Sequence, residues 1–525
     1  MNTIDLFADC TPASKVSVIG RDYQIRDHDQ SFKLWDQGYK GVLTRSATGT
    51  GKTIMTAMKF ATWLSRSAYH RCMVISYEQQ LVWQFAEEVE DVLGIKPAIE
   101  MDCEHIDTEK GMPLITVCSR ASLLRWKPPT EDQLAQLHAH GIDPGSLPKR
   151  TCDTILRKLE AGADTDALKN TIAELNARPE AKGGFWSRLH KFDPIKYTWL
   201  VAWDEAHKHA HRLTSVGHIA DWFDQNPESR RSGITATPKR GDNVSIGHKM
   251  FPEVSLDYPL YKPYGPCALR DGWAVPYVQR FIEADGVDFK QIKKINGDFD
   301  EADLERVLLE EGILAKLCVP LLDMVGNRST LIFSPGVNMA KQVAAFINAR
   351  AQTTCPHCMT VAWHPRLLIG DGAKCVCGQL LVQDAVTKNG EQARELDGES
   401  KEYERRQTYE DHQSGKFQFL SVCGLCREGY NDPGISCVAV FRPVSKKASS
   451  LAEQMKGRSC RPLRGILKGL ETAEERIAAI ANSDKPNSLI IDLVGITGLA
   501  DCSSTIRIFD QGIPDEIARR AEEIL

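Results

Sequence analysis

The sequence predicts an α/β protein built from two parallel-sheet lobes, and three observations carry that expectation. A glycine-rich turn, "SATGTGKT" at 46–53, joins an apolar strand to a helical run. A near-continuous apolar stretch from Tyr197 to Trp203 ends abruptly in acidic residues. Alternating strand and helix patterns fill both halves of the chain, as parallel sheets require.

The first strand is read from "YKGVLTRS" (39–46). Past the turn, Ile54, Ala57, Met58, Ala61 and Leu64 recur at helical spacing. The turn nearly fits G-x-x-x-x-G-K-[ST], with Ser46 where the first glycine should stand. Gly49 and Gly51 lack a Cβ, so the backbone of Ser46, Ala47, Thr48, Gly49, Thr50 and Gly51 can aim N–H groups at phosphate oxygens. The helix N-terminus adds free donors and a positive dipole. Lys52 would supply a charge to the β/γ-phosphates, and Thr53 a hydroxyl to Mg²⁺.

The second half of such a site is "KYTWLVAWDEAHKHA". Its apolar run suits a strand buried on both faces. Asp204 and Glu205 follow at the strand's C-terminal end, where parallel sheets bind ligands. Asp204 suits Mg²⁺, usually held through water, and Glu205 suits polarising the attacking water. Together with the loop they read as one Mg-ATP site.

Composition sets the bounds. A chain of 525 residues should form two or more domains. Its hydrophobic 42% and charged 26% are ordinary soluble values. No run approaches the roughly 18 apolar residues of a membrane span, and "MNTIDLFADCTPASK" lacks a signal-peptide layout. A cytoplasmic location without a membrane partner is expected. The 16 cysteines are mostly scattered, as buried thiols rather than a disulfide framework. With a net charge of −5, any nucleic-acid groove needs local positive charge. "RRSGITATPKR" and "GRSCRPLRGILKG" supply it.

In order along the chain, these stretches resemble the motifs of superfamily 2 helicases and translocases, with a DEAH-type acidic motif. "RDYQ" places Gln24 where that superfamily reads adenine, and a small residue is common there at the position of Ser46. "VISYEQQLVWQF" (74–85) resembles motif Ia and "ITVCSRASL" (115–123) motif Ib. "GITATP" (233–238) resembles motif III, with Thr235, Ala236 and Thr237 coupling hydrolysis to nucleic acid. "STLIFSPGVNMAKQVAAFI" (329–347), "FLSVCGLCREGYNDPGISCVAVFRP" (419–443) and "QMKGRSCR" (454–461) resemble motifs IV, V and VI.

The resemblance implies two RecA-like lobes, at 1–245 and 246–525. It puts Arg458 and Arg461 opposite the γ-phosphate, where planar permanent charge is useful. Gly429 and Asn431 fall at the nucleotide side of motif V, and Asn431 stands where an aspartate is usual. Thr116, Ser119 and Gln454 are the further nucleic-acid coupling residues, directed at phosphate backbone rather than base sequence. Within the superfamily the chain is most similar to RadD-type bacterial DNA-repair helicases, through "LRDGWAVP" (269–276), "GDFDEADLERVL" (297–308) and "SLIIDLVG" (488–495). Type III restriction motor subunits are also similar.

The function implied is an ATP-dependent DNA helicase or translocase acting in repair, recombination or replication. An RNA-directed motor is the alternative, because phosphate gripping does not separate the two. A non-hydrolysing nucleotide-bound scaffold is disfavoured by the presence of Glu205, Arg458 and Arg461.

Two insertions are expected. Residues 127–195 carry helical patterns in "PTEDQLAQLHAHG" and "CDTILRKLEAGADTDALKNTIAELNAR". This lobe 1 insertion could meet nucleic acid, meet a protein partner, or be a helical decoration. Residues 351–382 in lobe 2 hold Cys355, Cys358, Cys375 and Cys377, two close pairs suited to one structural Zn²⁺. His357 or His364 could substitute for one thiol. Cys423 and Cys426 form an isolated C-x-x-C and are read as structural.

Overall fold

Side chains of successive strand residues point to opposite faces, so a strand that is apolar throughout must be covered twice. The strand Thr198–Asp204 shows this: Leu200 and Ala202 enter one core, while Trp199, Val201 and Trp203 enter another. His70–Ser76 does the same with Cys72 and Val74 against Met73 and Ile75. The computed structural model describes residues 4–5, 17–18, 20–76, 79–101, 106, 111–123, 130–143, 149–177, 189, 192–208, 215–236, 250–262, 264–284, 286–295, 298–310, 312–424, 430, 432–442 and 449–494.

The chain forms two compact units. The first comprises Met1–Thr44, Lys52–Thr235 and Ile246–Leu256, and the second Arg45–Gly51, Ala236–Ser245 and Asp257–Leu525. The first sheet has seven strands in the order Ala98–Glu100, Ile115–Ser119, His70–Ser76, Thr198–Asp204, Arg230–Thr235, Gly41–Ser46 and Glu253–Tyr258. The pairings from Ala98–Glu100 across to Arg230–Thr235 are parallel. Because Glu253–Tyr258 is an edge strand of this sheet, the sheet runs past residue 245.

The second sheet has six strands in the order Tyr277–Glu283, Ser488–Val494, Cys437–Val440, Thr330–Ser334, Phe419–Cys423 and Ala393–Leu396, all paired in parallel. Its core takes Ile332, Phe419, Ala439 and Ile491 from the strands and Leu317, Leu321, Met339 and Val343 from the covering helices. The two parallel-sheet α/β lobes expected from the sequence are therefore present.

The two insertions differ in what fills their interiors. Helices Glu131–Ala139, Lys149–Glu160 and Thr165–Ala177 enclose a separate small core of Leu137, Ile142, Cys152, Ile155, Leu168 and Ile172. Thr130 opens the first helix with a capping box: its hydroxyl accepts Gln133 N–H, and Gln133 Oε1 accepts Thr130 N–H. In the second unit, strands Arg350–Thr354, Val361–Pro365 and Val386–Lys388 form a small antiparallel sheet. This insertion thus extends to Lys388. Trp363 anchors it, with its ring centroid 6.0 Å from that of Phe419.

One close approach fixes the edge of the first sheet. A Cβ added at Gly233 would lie 2.8 Å from Phe251 Cζ. Gly233→Val should therefore lower the first unit's stability by about 1–3 kcal/mol. Adding Phe251→Leu should recover part of that loss in denaturant unfolding. Equal stability of the single variant and wild type would refute the packing constraint.

Candidate functional site

The strands Thr198–Asp204, Arg230–Thr235 and Gly41–Ser46 are neighbours in the first sheet, and the residues at and just past their C-terminal ends form the site. After Ser46 the loop bonds to itself. Ser46 Oγ lies 2.6 Å from Thr50 Oγ1, and Thr50 Oγ1 donates to the Ala47 carbonyl at 2.6 Å. The serine in place of glycine thus closes the turn from within. Gly49 and Gly51 take φ of +84° and +78°, which side chains with a Cβ rarely adopt. The helix Lys52–Ser65 begins directly after them, with Thr53 in its first turn.

Glu205 departs from the strand at φ +45°, a left-handed backbone for a residue that is not glycine. Such strain costs of order 1–3 kcal/mol and persists where the surroundings enforce it. Here it turns the carboxylate to Lys52, whose Nζ lies 2.6 Å from Oε1. His207, in the short helix Ala206–Lys208, brings Nδ1 to 3.3 Å from Glu205 Oε2 and 2.8 Å from Thr235 Oγ1. A chain Lys52–Glu205–His207–Thr235 therefore connects the phosphate-loop helix, the acidic strand and the strand of Thr235. Asp204 ends its strand partly buried.

Burial alone would push the Glu205 carboxyl up. The Lys52 ammonium and His207 more than offset this and hold it well below the ordinary carboxylate range.

Gln24 sits in the first turn of the helix Asp22–Asp36, and its Oε1 accepts the Arg21 backbone N–H at 2.9 Å. The side chain is buried and its rotamer is fixed by that bond. Ser119 ends the strand Ile115–Ser119 opposite Ser76. Thr116 lies fully buried near the start of the same strand. Thr235 and Ala236 are also buried.

In the second unit, a Cβ at Gly49 would lie 2.8 Å from Arg461 Cγ, and one at Gly457 would lie 3.3 Å from Thr48 Cβ. The loop segment and the arginine motif thus pack closely. Arg458 and Arg461 both donate through Nη1 to the Tyr430 carbonyl, at 2.9 and 3.2 Å. Tyr430 is itself held by a buried network. Its hydroxyl donates to Asp432 Oδ2 at 3.1 Å and lies 3.1 Å from His412 Nδ1, and its ring stacks on Tyr409. Gly434 N–H donates to Asp432 Oδ1 at 2.8 Å. Burial would raise the Asp432 carboxyl, but the bonds from His412, Gly434 and Tyr430 hold it low. Both its oxygens are engaged, so Asp432 is not a ready substitute for the aspartate missing at Asn431.

Lys485 Nζ donates to the carbonyls of Arg461 and Pro433, each at 2.7 Å, and burial pushes its pKa down to about 8. Gln454 is buried on the helix Ser449–Lys456. Thr237, Gly429 and Asn431 lie outside the described residues.

Sequence reasoning passed over His207 and Tyr430. The first was legible in the D-E-A-H run. The second acts through its backbone carbonyl, which no residue pattern announces.

Away from this site, the ligand atoms of Cys355, Cys358, Cys375 and Cys377 all lie within 4.8 Å of one another. Tetrahedral zinc–thiolate geometry places sulfurs about 3.8 Å apart, and Cys355–Cys377 and Cys358–Cys375 stand at 3.7 and 3.3 Å. The cluster fits a zinc knuckle with four thiols and without His357 or His364. Met359, at φ +59°, forms the turn after the first pair. Cys423 is partly buried at the end of its strand, and Cys426 lies outside the described residues.

Residues 17–240 match the model of a family described as Type III restriction enzyme, res subunit. That span contains the loop at 46–53 and the chain from Asp204 to Thr235. No curated protein matches the chain. Among solved structures, the Mycobacterium smegmatis helicase Lhr bound to ssDNA and AMP-PNP is 12% identical at TM-score 0.45, over 89% of this chain and 45% of that one. The DUF1998 helicase MrfA bound to DNA and AMPPNP is 13% identical at TM-score 0.46, over 95% and 50%. Dbp5 of S. cerevisiae bound to RNA and ADP BeF3 is 11% identical at TM-score 0.47, over 96% and 93%. The chain spans about half the length of Lhr and MrfA. Among the described residues, no helix is long and apolar enough to cross a membrane.

The Lys52–Glu205 contact makes a testable statement about acidity. A carboxyl held low in the folded state stabilises the fold above its unfolded pKa of about 4.3, and that stabilisation is lost as pH falls through the lower folded value. Lys52→Met removes the charge that does most to hold it down, leaving burial to dominate. Infrared titration of the carboxyl should then show Glu205 protonating above the ordinary range. An unshifted titration would show that some other group holds it.

Proposed function

We propose that this chain is a nucleic-acid-dependent ATPase of superfamily 2, acting as a DNA helicase or translocase. The observation that carries the reading is the Lys52–Glu205–His207–Thr235 chain. A phosphate-loop lysine, a candidate water-polarising carboxylate and the threonine of the coupling motif share one connected set of contacts. The family match over 17–240 supports the same reading.

The residues fit Mg-ATP. The loop at 46–51 offers a backbone concavity, and Lys52 offers an ammonium for phosphate oxygens. Thr53 and Asp204 would hold the metal, which when bound neutralises charge on the phosphates. Glu205 would accept a hydrogen bond from the attacking water. Gln24 would meet the adenine edge. Arg458 and Arg461 would meet charge that grows on the γ-phosphoryl group. An incoming phosphate competes with Glu205 for Lys52, so binding would free the carboxylate for its catalytic task. His207 would then keep Glu205 in register with Thr235, the route by which hydrolysis could be sensed by the nucleic-acid-facing motifs.

DNA is favoured over RNA because the segments at 269–276, 297–308 and 488–495 resemble RadD-type repair helicases. A grip directed at the phosphate backbone, without sequence preference, is the mode such motifs imply. The helical insertion, with its own core, is a candidate platform for a protein partner. The thiol cluster would hold one structural Zn²⁺, whose four protein ligands would leave no open position for catalysis.

Two experiments test this. Lys52→Ala should weaken ATP binding, whereas Glu205→Gln should bind ATP at least as tightly as wild type while losing turnover by a factor on the order of 10² or more. Stimulation should be compared with single-stranded, duplex and branched DNA and with RNA. RNA as the better activator would favour the alternative motor, and equal affinity loss in both variants would contradict the assigned roles.

Metal analysis should give one zinc per chain, absent from Cys355→Ser/Cys358→Ser. Removal should expose 351–388 to protease while basal ATP hydrolysis persists, because ordering of this segment draws on metal binding. A metal-free protein with a protease-resistant insertion would sink the zinc assignment.

A further inference from the structure

Beneath the nucleotide site lies an ion pair that water does not reach. Lys59 Nζ is 2.8 Å from Asp27 Oδ2, with side chains 1% and 0% exposed. Such a pair is a poor device for stability, since apolar residues of similar volume serve as well or better. Burial pushes the Lys59 ammonium's pKa down, and Asp27 opposes that shift.

What distinguishes the pair is the set of elements it joins. Asp27 Oδ1 accepts from Thr44 Oγ1 at 2.8 Å and from Ser255 Oγ at 2.6 Å. Lys59 Nζ donates to Thr44 Oγ1 at 2.9 Å and to Ser232 Oγ at 3.3 Å. Five elements therefore converge: the helices Asp22–Asp36 and Lys52–Ser65, and the strands Gly41–Ser46, Arg230–Thr235 and Glu253–Tyr258. Four of them carry the nucleotide site. Gln24 stands one turn before Asp27, and Lys52 about two turns before Lys59. The strand of Thr44 feeds the phosphate loop, and that of Ser232 ends at Thr235.

We infer that Asp27 and Lys59 are positioning residues that set the spacing between the base-reading helix and the phosphate-binding helix. The inference rests on the reading of this site as an ATP site. Neither residue touches the nucleotide. They act by locking the helix of Gln24 and the helix of Lys52 to the strands beneath the loop, so that base and phosphate are met together. The competing account is plain stabilisation. His28 Nε2, 2.8 Å from Thr62 Oγ1, ties the same two helices one turn further on, so their pairing does not depend on the ion pair alone. What the ion pair adds is the tie to the strands.

The test separates folding from nucleotide choice. Asp27→Leu/Lys59→Met replaces the pair by apolar side chains, and is compared with wild type and Gln24→Ala for unfolding midpoint and for kcat and KM on ATP and GTP. The double variant should unfold at or above the wild-type midpoint. Its ATP-over-GTP preference in kcat/KM should nevertheless fall by a factor on the order of ten, mostly through KM, in the direction of Gln24→Ala. Should it not fold, Asp27→Asn keeps the shape and an acceptor for Thr44 and Ser255, and gives the same readout. A variant that folds and keeps wild-type KM and preference overturns the positioning role while leaving the ATP reading intact. A wild-type protein that hydrolyses neither nucleotide overturns both.

Discussion

The contact between Lys52 and Glu205 organises the site. It brings an ammonium from the N-terminus of one helix to a carboxylate at the end of a neighbouring strand, largely out of water. Burial would neutralise Glu205 were Lys52 not beside it, and the strained backbone at Glu205 exists because that orientation is enforced from several sides. The parallel sheet supplies the enforcement. Its strands deliver their C-terminal ends to one edge, so a loop, an acid pair and Thr235, far apart in sequence, arrive together.

A second buried charge pair lies behind the first, and the two differ in kind. On the proposed reading Lys52–Glu205 would be open to exchange, because a phosphate could take the lysine. Lys59–Asp27 is closed, with the two charges satisfied by hydroxyls from three different strands. An exchangeable pair suits chemistry and a closed one suits geometry. Their lysines stand about two turns apart on a single helix.

Much of this was legible in the residues. The loop, the apolar strand before Asp204 and the alternating elements of both halves follow from periodicity, because burial on both faces leaves no polar side to a strand. The thiol pairs announced their cluster through spacing. Other features were invisible for physical reasons. The Ser46–Thr50 bond depends on the turn already being formed, and the Tyr430 carbonyl is a backbone acceptor that any residue could provide. Asp27 and Lys59 belong to none of the quoted motifs. Only the convergence of five elements shows that they face inward.

The two insertions show how local composition decides the route to order. Within the first insertion, apolar positions at helical spacing let three helices enclose a core of their own. The thiol insertion has little to bury. Its interior is Cys355, Ala373, Cys375, Leu381 and Ala385, while Val376 and Leu367 stand about nine-tenths exposed. An apolar core that small cannot offset the entropy of ordering its loops. The ligand atoms of its four cysteines lie within 4.8 Å of one another, and on the proposed zinc reading metal binding would add folding free energy that does not scale with buried area. The lobe 1 insertion thus carries an apolar core, and the lobe 2 insertion a cluster of four thiols. In both cases the added segment leaves the strand order of its parent sheet unbroken.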